Sequence, residues 1–311
     1  MPTVRSAQRV SKTIPAPNSI HCGSALTVLQ SWPAEFADTV VTSPPYYQQR
    51  DYHGKAEQVG QEASPAEYVA RLQAIFAEVR RCLKSTGSLW LVIGDKYDKD
   101  GSQLGLPWRV ALALMDEGWI LRSDCIWHKP NAMPSSTKTR PTTDHEYIFL
   151  LTKSSDYFYN ADAIREPHVT FSENSKMKGG RGHFGKRGGT PEAGKNGGDT
   201  NLHNGRWDQA FHPLGRNKRT VWSIPLSKFR GAHFAVFPEA LVRTCLLASC
   251  PPPGPPGNKS GPPDNKPGLV LDPFLGSGTT AVVAQQLGHS YLGIDVAAEY
   301  CEIAKERLQK S

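Results

Sequence analysis

Residues 269–296, LVLDPFLGSGTTAVVAQQLGHSYLGIDV, admit few folds. An apolar strand runs through Asp272 into a Gly-rich turn, the turn opens a helix near Thr279 that ends at Gly288, and a second strand finishes on Asp295. Strands joined through a helix run parallel, and parallel strands bury both faces. The rest of the chain must then supply more strands and helices of the same kind.

It does so in alternation. TVVTSP (39–44) has the make-up of a buried strand, PAEYVARLQAIFAEVRRCL (65–83) that of an amphipathic helix with Pro65 in its first turn, and GSLWLVIG (87–94) that of the next strand. A helix at 106–118, a strand at 119–130, an apolar run at 146–153 and a helix at 233–249 follow. CPPPGPPGNKSGPPDNKPG (250–268) is too rich in Pro and Gly for a helix or a central strand, and is expected to be an exposed connector. The fold class expected is α/β: a doubly wound, mostly parallel, Rossmann-like sheet, interrupted by an insertion at 165–217. That divides the chain into a first core part (1–164), the insertion, and a second core part (218–311).

The 269–296 unit also points to a ligand. Asp295 lies 19 residues after Gly276, near the ~20-residue offset at which a nucleotide-binding unit sets a carboxylate against ribose hydroxyls. The glycines allow close approach, and the helix start offers free N–H groups. A dinucleotide site would show G-x-G-x-x-G, but position 281 is Ala and an acid, Asp272, precedes the glycines. An acid there would repel a pyrophosphate and suits a ligand carrying an ammonium, which favours S-adenosylmethionine over NAD.

A second motif, TSPPYYQQRDY (42–52), places a rigid polar and aromatic corner at a strand end. An exocyclic amino group on a base is a poor nucleophile because its lone pair is delocalised into the ring. Ser43 and the Pro44 carbonyl can accept its hydrogens, Pro45 fixes the chain direction, and the Tyr46 ring can stack on the base.

Together these segments resemble the amino-methylating DNA methyltransferases of the β arrangement, in which the catalytic motif precedes the cofactor motif. TSPPY (42–46) is similar to their catalytic motif, in the Ser-Pro-Pro form more typical of N4-cytosine enzymes than of N6-adenine ones. DPFLGSGTT (272–280) is similar to the cofactor loop, GID (293–295) to the ribose-binding acid, and FPEAL (237–241) to the helix at the methionine end. WHKPNAMP (127–134) and RPTTDHEYIFLLTK (140–153) resemble stretches that wall the target pocket. The resemblance implies catalysis by Ser43, Pro44, Pro45 and Tyr46. It implies S-adenosylmethionine binding by Asp272, Pro273, Phe274, Gly276, Ser277, Gly278, Thr279, Thr280, Asp295, Phe237 and Glu239. Ser24, in GSALTVL, stands where family members often carry an Asp near the adenine.

The charge is unevenly placed. The chain carries +7 formally, and from Arg165 to Arg219 eleven Lys and Arg stand against five acids. A Gly-rich basic stretch suits contact with phosphates, so Lys176, Lys178, Arg181, Lys186, Arg187, Arg206, Arg216, Lys218 and Arg219 are the expected contacts to double-stranded DNA. Trp207 and Phe211 suit either a stacking pair or a small core, and Lys129 either DNA or a solvated strand end. Asp95 fits a strand-end cap. The six cysteines show no C-x-x-C pair, which argues against zinc and disulfides and for buried thiols, and none follows a Pro as a C5-cytosine nucleophile commonly does. No metal is expected. With no apolar run of membrane-spanning length and no apolar leader, a cytoplasmic, DNA-associated protein is expected, a monomer or homodimer, with a cognate restriction endonuclease as a possible companion.

Overall fold

The computed structural model describes residues 12–49, 57–167, 214–226, 237–252 and 266–311. They form two compact units, Met1–Tyr159 with Thr220–Ser311, and Asn160–Arg219. The first holds one eight-stranded sheet. Its strands are β1 (Ser19–Cys22), β2 (Ala37–Thr42), β3 (Leu83–Ile93), β4 (Ile120–His128), β5 (His145–Thr152), β6 (Val221–Ser223), β7 (Leu269–Asp272) and β8 (Ser290–Asp295). Across the sheet the order is β1-β8-β7-β2-β3-β5-β4-β6, and only β5 runs antiparallel to both of its neighbours.

Six α-helices accompany it among the described residues: α1 (Ala25–Ser31), α2 (Pro65–Cys82), α3 (Leu106–Asp116), α4 (Glu239–Ser249), α5 (Thr279–Gln286) and α6 (Ala298–Lys310). Local chemistry starts α2. Ser64 accepts from Glu67 N at 3.2 Å, the Glu67 carboxylate accepts from Ala63 N at 3.1 Å, and Pro65 occupies the first turn. At its far end Arg81 donates to the Leu29 and Trp32 carbonyls and so satisfies the C-terminus of α1. Tyr68, Leu72, Ile75, Phe76, Val79 and Cys82 are the buried stripe of α2.

Both faces of the sheet are covered, since every residue of β2 is buried. Leu89, Leu91 and Ile93 of β3 join the core built from α1, α2 and α3. Trp90 points the other way, and its indole N–H donates to Ser249 of α4 at 2.9 Å. The connector at 250–268 is not exposed throughout. Cys250 is buried, and a side chain on Gly268 would meet its Sγ at 2.6 Å, so the two described ends pack together. The expected helix 233–249 is observed from Glu239, and residues 233–236 lie outside the described residues.

Chain direction decides where a site can form. From β2 the chain passes to β3 on one side, and from β7 it passes to β8 on the other. Crossovers that diverge in this way leave a crevice beyond the carboxyl ends of the strands, here between β2 and β7.

In the second unit a one-turn 3-10 helix, Ala161–Ile164, precedes a backbone bridge between Glu166 and Arg216. Residues 168–213, most of the expected insertion, lie outside the described residues.

Candidate active site

The crevice holds a cavity of about 200 Å³. Ser43, Pro44, Pro45 and Tyr46 line it from the end of β2, and Pro273, Phe274, Gly276, Ser277 and Thr279 from the loop after β7. Asp295 and Phe237 also line it, so eleven of the predicted residues share one wall system although up to 252 positions separate them in sequence.

The corner after β2 is held from three sides. Tyr68 of α2 donates its hydroxyl to the Pro45 carbonyl at 3.0 Å. Gln48 N–H donates to Gly60 O at 2.6 Å, and Gly60, at φ +98, passes so close that a side chain would meet the Tyr46 carbonyl at 2.9 Å. Tyr46 Oη donates to Glu146 Oε2 at 2.7 Å, while Ser43 Oγ lies 3.4 Å from the same phenol oxygen. Burial and then the Glu146 charge push the Tyr46 phenol well above its ordinary pKa, so it stays a neutral donor. Lys129 Nζ pairs with the other Glu146 oxygen and sits 4.6 Å from the centre of the Trp127 ring. Trp127, Lys129 and Glu146 all line the cavity, from the two stretches that resemble target-pocket walls.

The loop after β7 is shaped by backbone as much as by side chains. Asp295 accepts from Gly276 N and from Ala297 N, each at 2.8 Å, which fixes its carboxylate at the cavity edge. Gly276 has φ +53, and a side chain there would meet nothing within 4 Å. Gly278 differs: a Cβ would strike Ala304 of α6 at 2.7 Å, so that glycine serves helix packing. Arg307 of α6, unforeseen in the sequence, donates to Ser277 O at 2.8 Å, Ser277 Oγ at 3.0 Å and Thr279 Oγ1 at 3.1 Å. Its other nitrogen pairs with Glu239 at 3.5 Å, so Glu239 braces the loop from behind and does not line the cavity.

Asp272 requires a correction. The sequence offers its carboxylate to a ligand's ammonium, but the residue is 1% exposed and is absent from the cavity wall. Its oxygens accept from Thr42 Oγ1 at 2.6 Å, Thr280 Oγ1 at 2.7 Å and Phe274 N at 3.0 Å. Burial outweighs these bonds and raises its pKa to about 6. Thr280 is likewise turned inward.

Two of the expected DNA contacts also turn out to be internally committed. Arg216 and Lys218 both pair with Glu166, at 3.3 and 3.2 Å. Arg219 is the last residue of that unit. Lys176, Lys178, Arg181, Lys186, Arg187 and Arg206 lie outside the described residues, as do Asp51, Tyr52, Trp207 and Phe211. Asp95 is a cap, accepting from Gly105 N at 3.0 Å and Leu106 N at 2.9 Å at the start of α3. Ser24 lines the cavity, and Val296 and Tyr300, which the sequence did not single out, join it there. Five of the six cysteines are buried and all are free thiols; no cluster of metal-ligating side chains occurs among the described residues.

A doubly wound sheet with a nucleotide-type loop and a Ser-Pro-Pro-Tyr corner on one switch-point cavity defines a Rossmann-like α/β protein built for group transfer. Residues 37–306 match the N6/N4 DNA methylase family, and the chain belongs to that family. It is 39% identical over 316 residues to the type II methyltransferase M.Cfr9I of Citrobacter freundii, covering 92% of this chain and 86% of that one. M.SmaI of Serratia marcescens is 38% identical, with 92% and 89% covered. Among solved structures, the cytosine-N4-specific PvuII DNA methyltransferase superposes with a TM-score of 0.63 at 20% identity, covering 94% of this chain and 87% of that one. A DNA modification methylase of Thermus thermophilus, solved in complex with S-adenosyl-L-methionine, superposes with a TM-score of 0.56 at 23% identity, covering 94% of each chain. These two likenesses establish the fold.

Proposed function

We propose that the chain methylates the exocyclic N4 of cytosine in a specific duplex DNA sequence, with S-adenosylmethionine as donor. The observation that carries this reading is the meeting of the Ser43–Tyr46 corner and the Pro273–Thr279 loop on one cavity. Ser at position 43 favours cytosine over adenine, and a cytosine-N4-specific enzyme shares the fold. The type II relatives suggest a place beside a restriction endonuclease.

The lining fits the cofactor. Asp295 is an anchored carboxylate with lone pairs left for ribose hydroxyls, Phe274, Leu275 and Val296 supply apolar surface for an adenine, and the space over Gly276 leaves the loop backbone approachable. When bound, S-adenosylmethionine supplies an electrophilic methyl group on a sulfonium sulfur.

The chain's own residues do the rest. A base must leave the duplex to enter such a cavity, at a cost on the order of a few kcal/mol. The Tyr46 ring, held at its hydroxyl by Glu146, offers that base a stacking surface in one orientation. Ser43 Oγ and the Pro44 carbonyl accept the amino hydrogens, which turns the nitrogen lone pair out of conjugation and toward the loop. The Pro45 carbonyl, already taken by Tyr68, leaves the Pro44 carbonyl as the acceptor next in line. Rate then comes from alignment, with no covalent enzyme intermediate.

Nucleoside mass spectrometry of unmethylated genomic DNA, incubated with the protein and S-adenosylmethionine, tests the reading. N4-methylcytosine is expected. N6-methyladenine would move the target to adenine, and unmodified DNA would leave a binding protein without turnover.

A further inference from the structure

The β2–β7 ladder pairs Thr39 with Val270 and Val40 with Leu271, and there it stops. Beyond that point β2 continues into Ser43 and β7 into the loop at Pro273, so the two halves of the cavity hang from strand ends no longer joined by backbone. Side chains take over the join. Thr42, the residue before Ser43, donates to Asp272 Oδ1 at 2.6 Å, and Thr280, in the first turn of α5, donates to Asp272 Oδ2 at 2.7 Å. Thr280 Oγ1 also lies 3.3 Å from the Val41 carbonyl, which ties α5 directly to the catalytic strand. Thr42, Asp272 and Thr280 are 0%, 1% and 1% exposed, and none of them lines the cavity.

We propose that Thr42, Asp272 and Thr280 form a positioning latch, which sets the spacing between the amine-accepting corner and the cofactor loop without touching either substrate. The proposal rests on the methyltransferase reading above. Its physical basis is the steepness of alignment: displacing a reacting group by about 1 Å can cost on the order of 100-fold in rate. A buried carboxylate is also a costly way to fill space that an apolar side chain would fill without penalty. Bonds of fixed length from one carboxylate to both halves of the site give that cost a purpose.

Thr42→Val keeps the shape and removes the hydroxyl. Two quantities separate the latch from a packing role: the single-turnover rate of methyl transfer at saturating S-adenosylmethionine, and the dissociation constant of S-adenosylhomocysteine by calorimetry. Thr42→Val is expected to slow transfer at least tenfold while that constant stays within twofold, and Thr42→Ser to recover most of the rate. Thr280→Val, which opens the latch from the other side, is the second variant should Thr42→Val fail to fold, and the same slowing of transfer is expected of it. Transfer at the wild-type rate in the valine variants, or a loss matched by weakened cofactor binding, overturns the latch alone. Wild-type protein that binds the homocysteine product but leaves DNA unmodified overturns the functional reading and the latch with it.

Discussion

At the scale of single residues, the site depends on one missing side chain. Gly94 follows β3, and a Cβ there would meet Tyr46 Cε2 at 2.7 Å and Glu146 Cγ at 3.2 Å. The backbone is not free to withdraw, because Ile93 pairs with Tyr147 in the neighbouring strand. Gly94→Ala must therefore push the Tyr46 ring, at about 1–3 kcal/mol of stability. A tenfold or greater fall in single-turnover methylation is expected, with S-adenosylhomocysteine affinity unchanged in a calorimetric titration. An unaltered rate would show that the ring's position does not matter to transfer. Which residues matter at this scale was legible only in part. Ser43, Pro44, Pro45 and Tyr46 sit in a contiguous motif whose rigidity and polarity are visible in the chain. Asp272 also sits in a motif, yet its partners are Thr42, 230 positions away, and Thr280, and no local spacing reveals which way a carboxylate turns. Glu146 was legible merely as part of a wall-like stretch, since its bond to Tyr46 spans 100 positions.

At the scale of elements, α6 does more than cover the sheet. Arg307 reaches from its last turns to three oxygens of the loop at Ser277 and Thr279, and this fork holds the loop against α5. A hydrogen bond involving a charged group contributes about 1.5–3 kcal/mol, and a lysine could not reproduce the forked geometry. Arg307→Met is expected to weaken S-adenosylhomocysteine binding about tenfold, equivalent to roughly 1.4 kcal/mol, while transfer at saturating cofactor stays near the wild-type rate. Unchanged affinity by calorimetry would make the fork incidental. Long elements of strong periodicity, such as α2, were readable to within a residue or so, because caps and apolar stripe agree. The four residues of β1 and three of β6 carry too little pattern to stand out. The direction of β5 was also hidden, since alternation along a strand is the same whichever way its neighbours run.

For the molecule as a whole, the question is how a core that performs transfer is told which sequence to modify. Glu166 and Arg216 exchange backbone hydrogen bonds at 2.9 and 2.8 Å, and Glu166 also pairs with the side chains of Arg216 and Lys218. The intervening chain thus leaves and returns at one clasp. Residues 168–213 carry seven Lys and Arg against four acids, close to half of the chain's formal +7. Replacing 168–213 with a short Gly-Ser linker preserves the clasp and every described residue of the sheet. Cooperative unfolding and an S-adenosylhomocysteine affinity within threefold of wild type are therefore expected. DNA methylation should disappear, and any residual DNA binding should show a shallower dependence on salt, because fewer phosphates are neutralised. Mapping modified sites by single-molecule sequencing decides the matter. A shortened protein that still methylates the same sequence would place target recognition in the core and leave the basic segment without that role, whereas one that binds cofactor but modifies nothing assigns recognition to the segment between the two sides of the clasp.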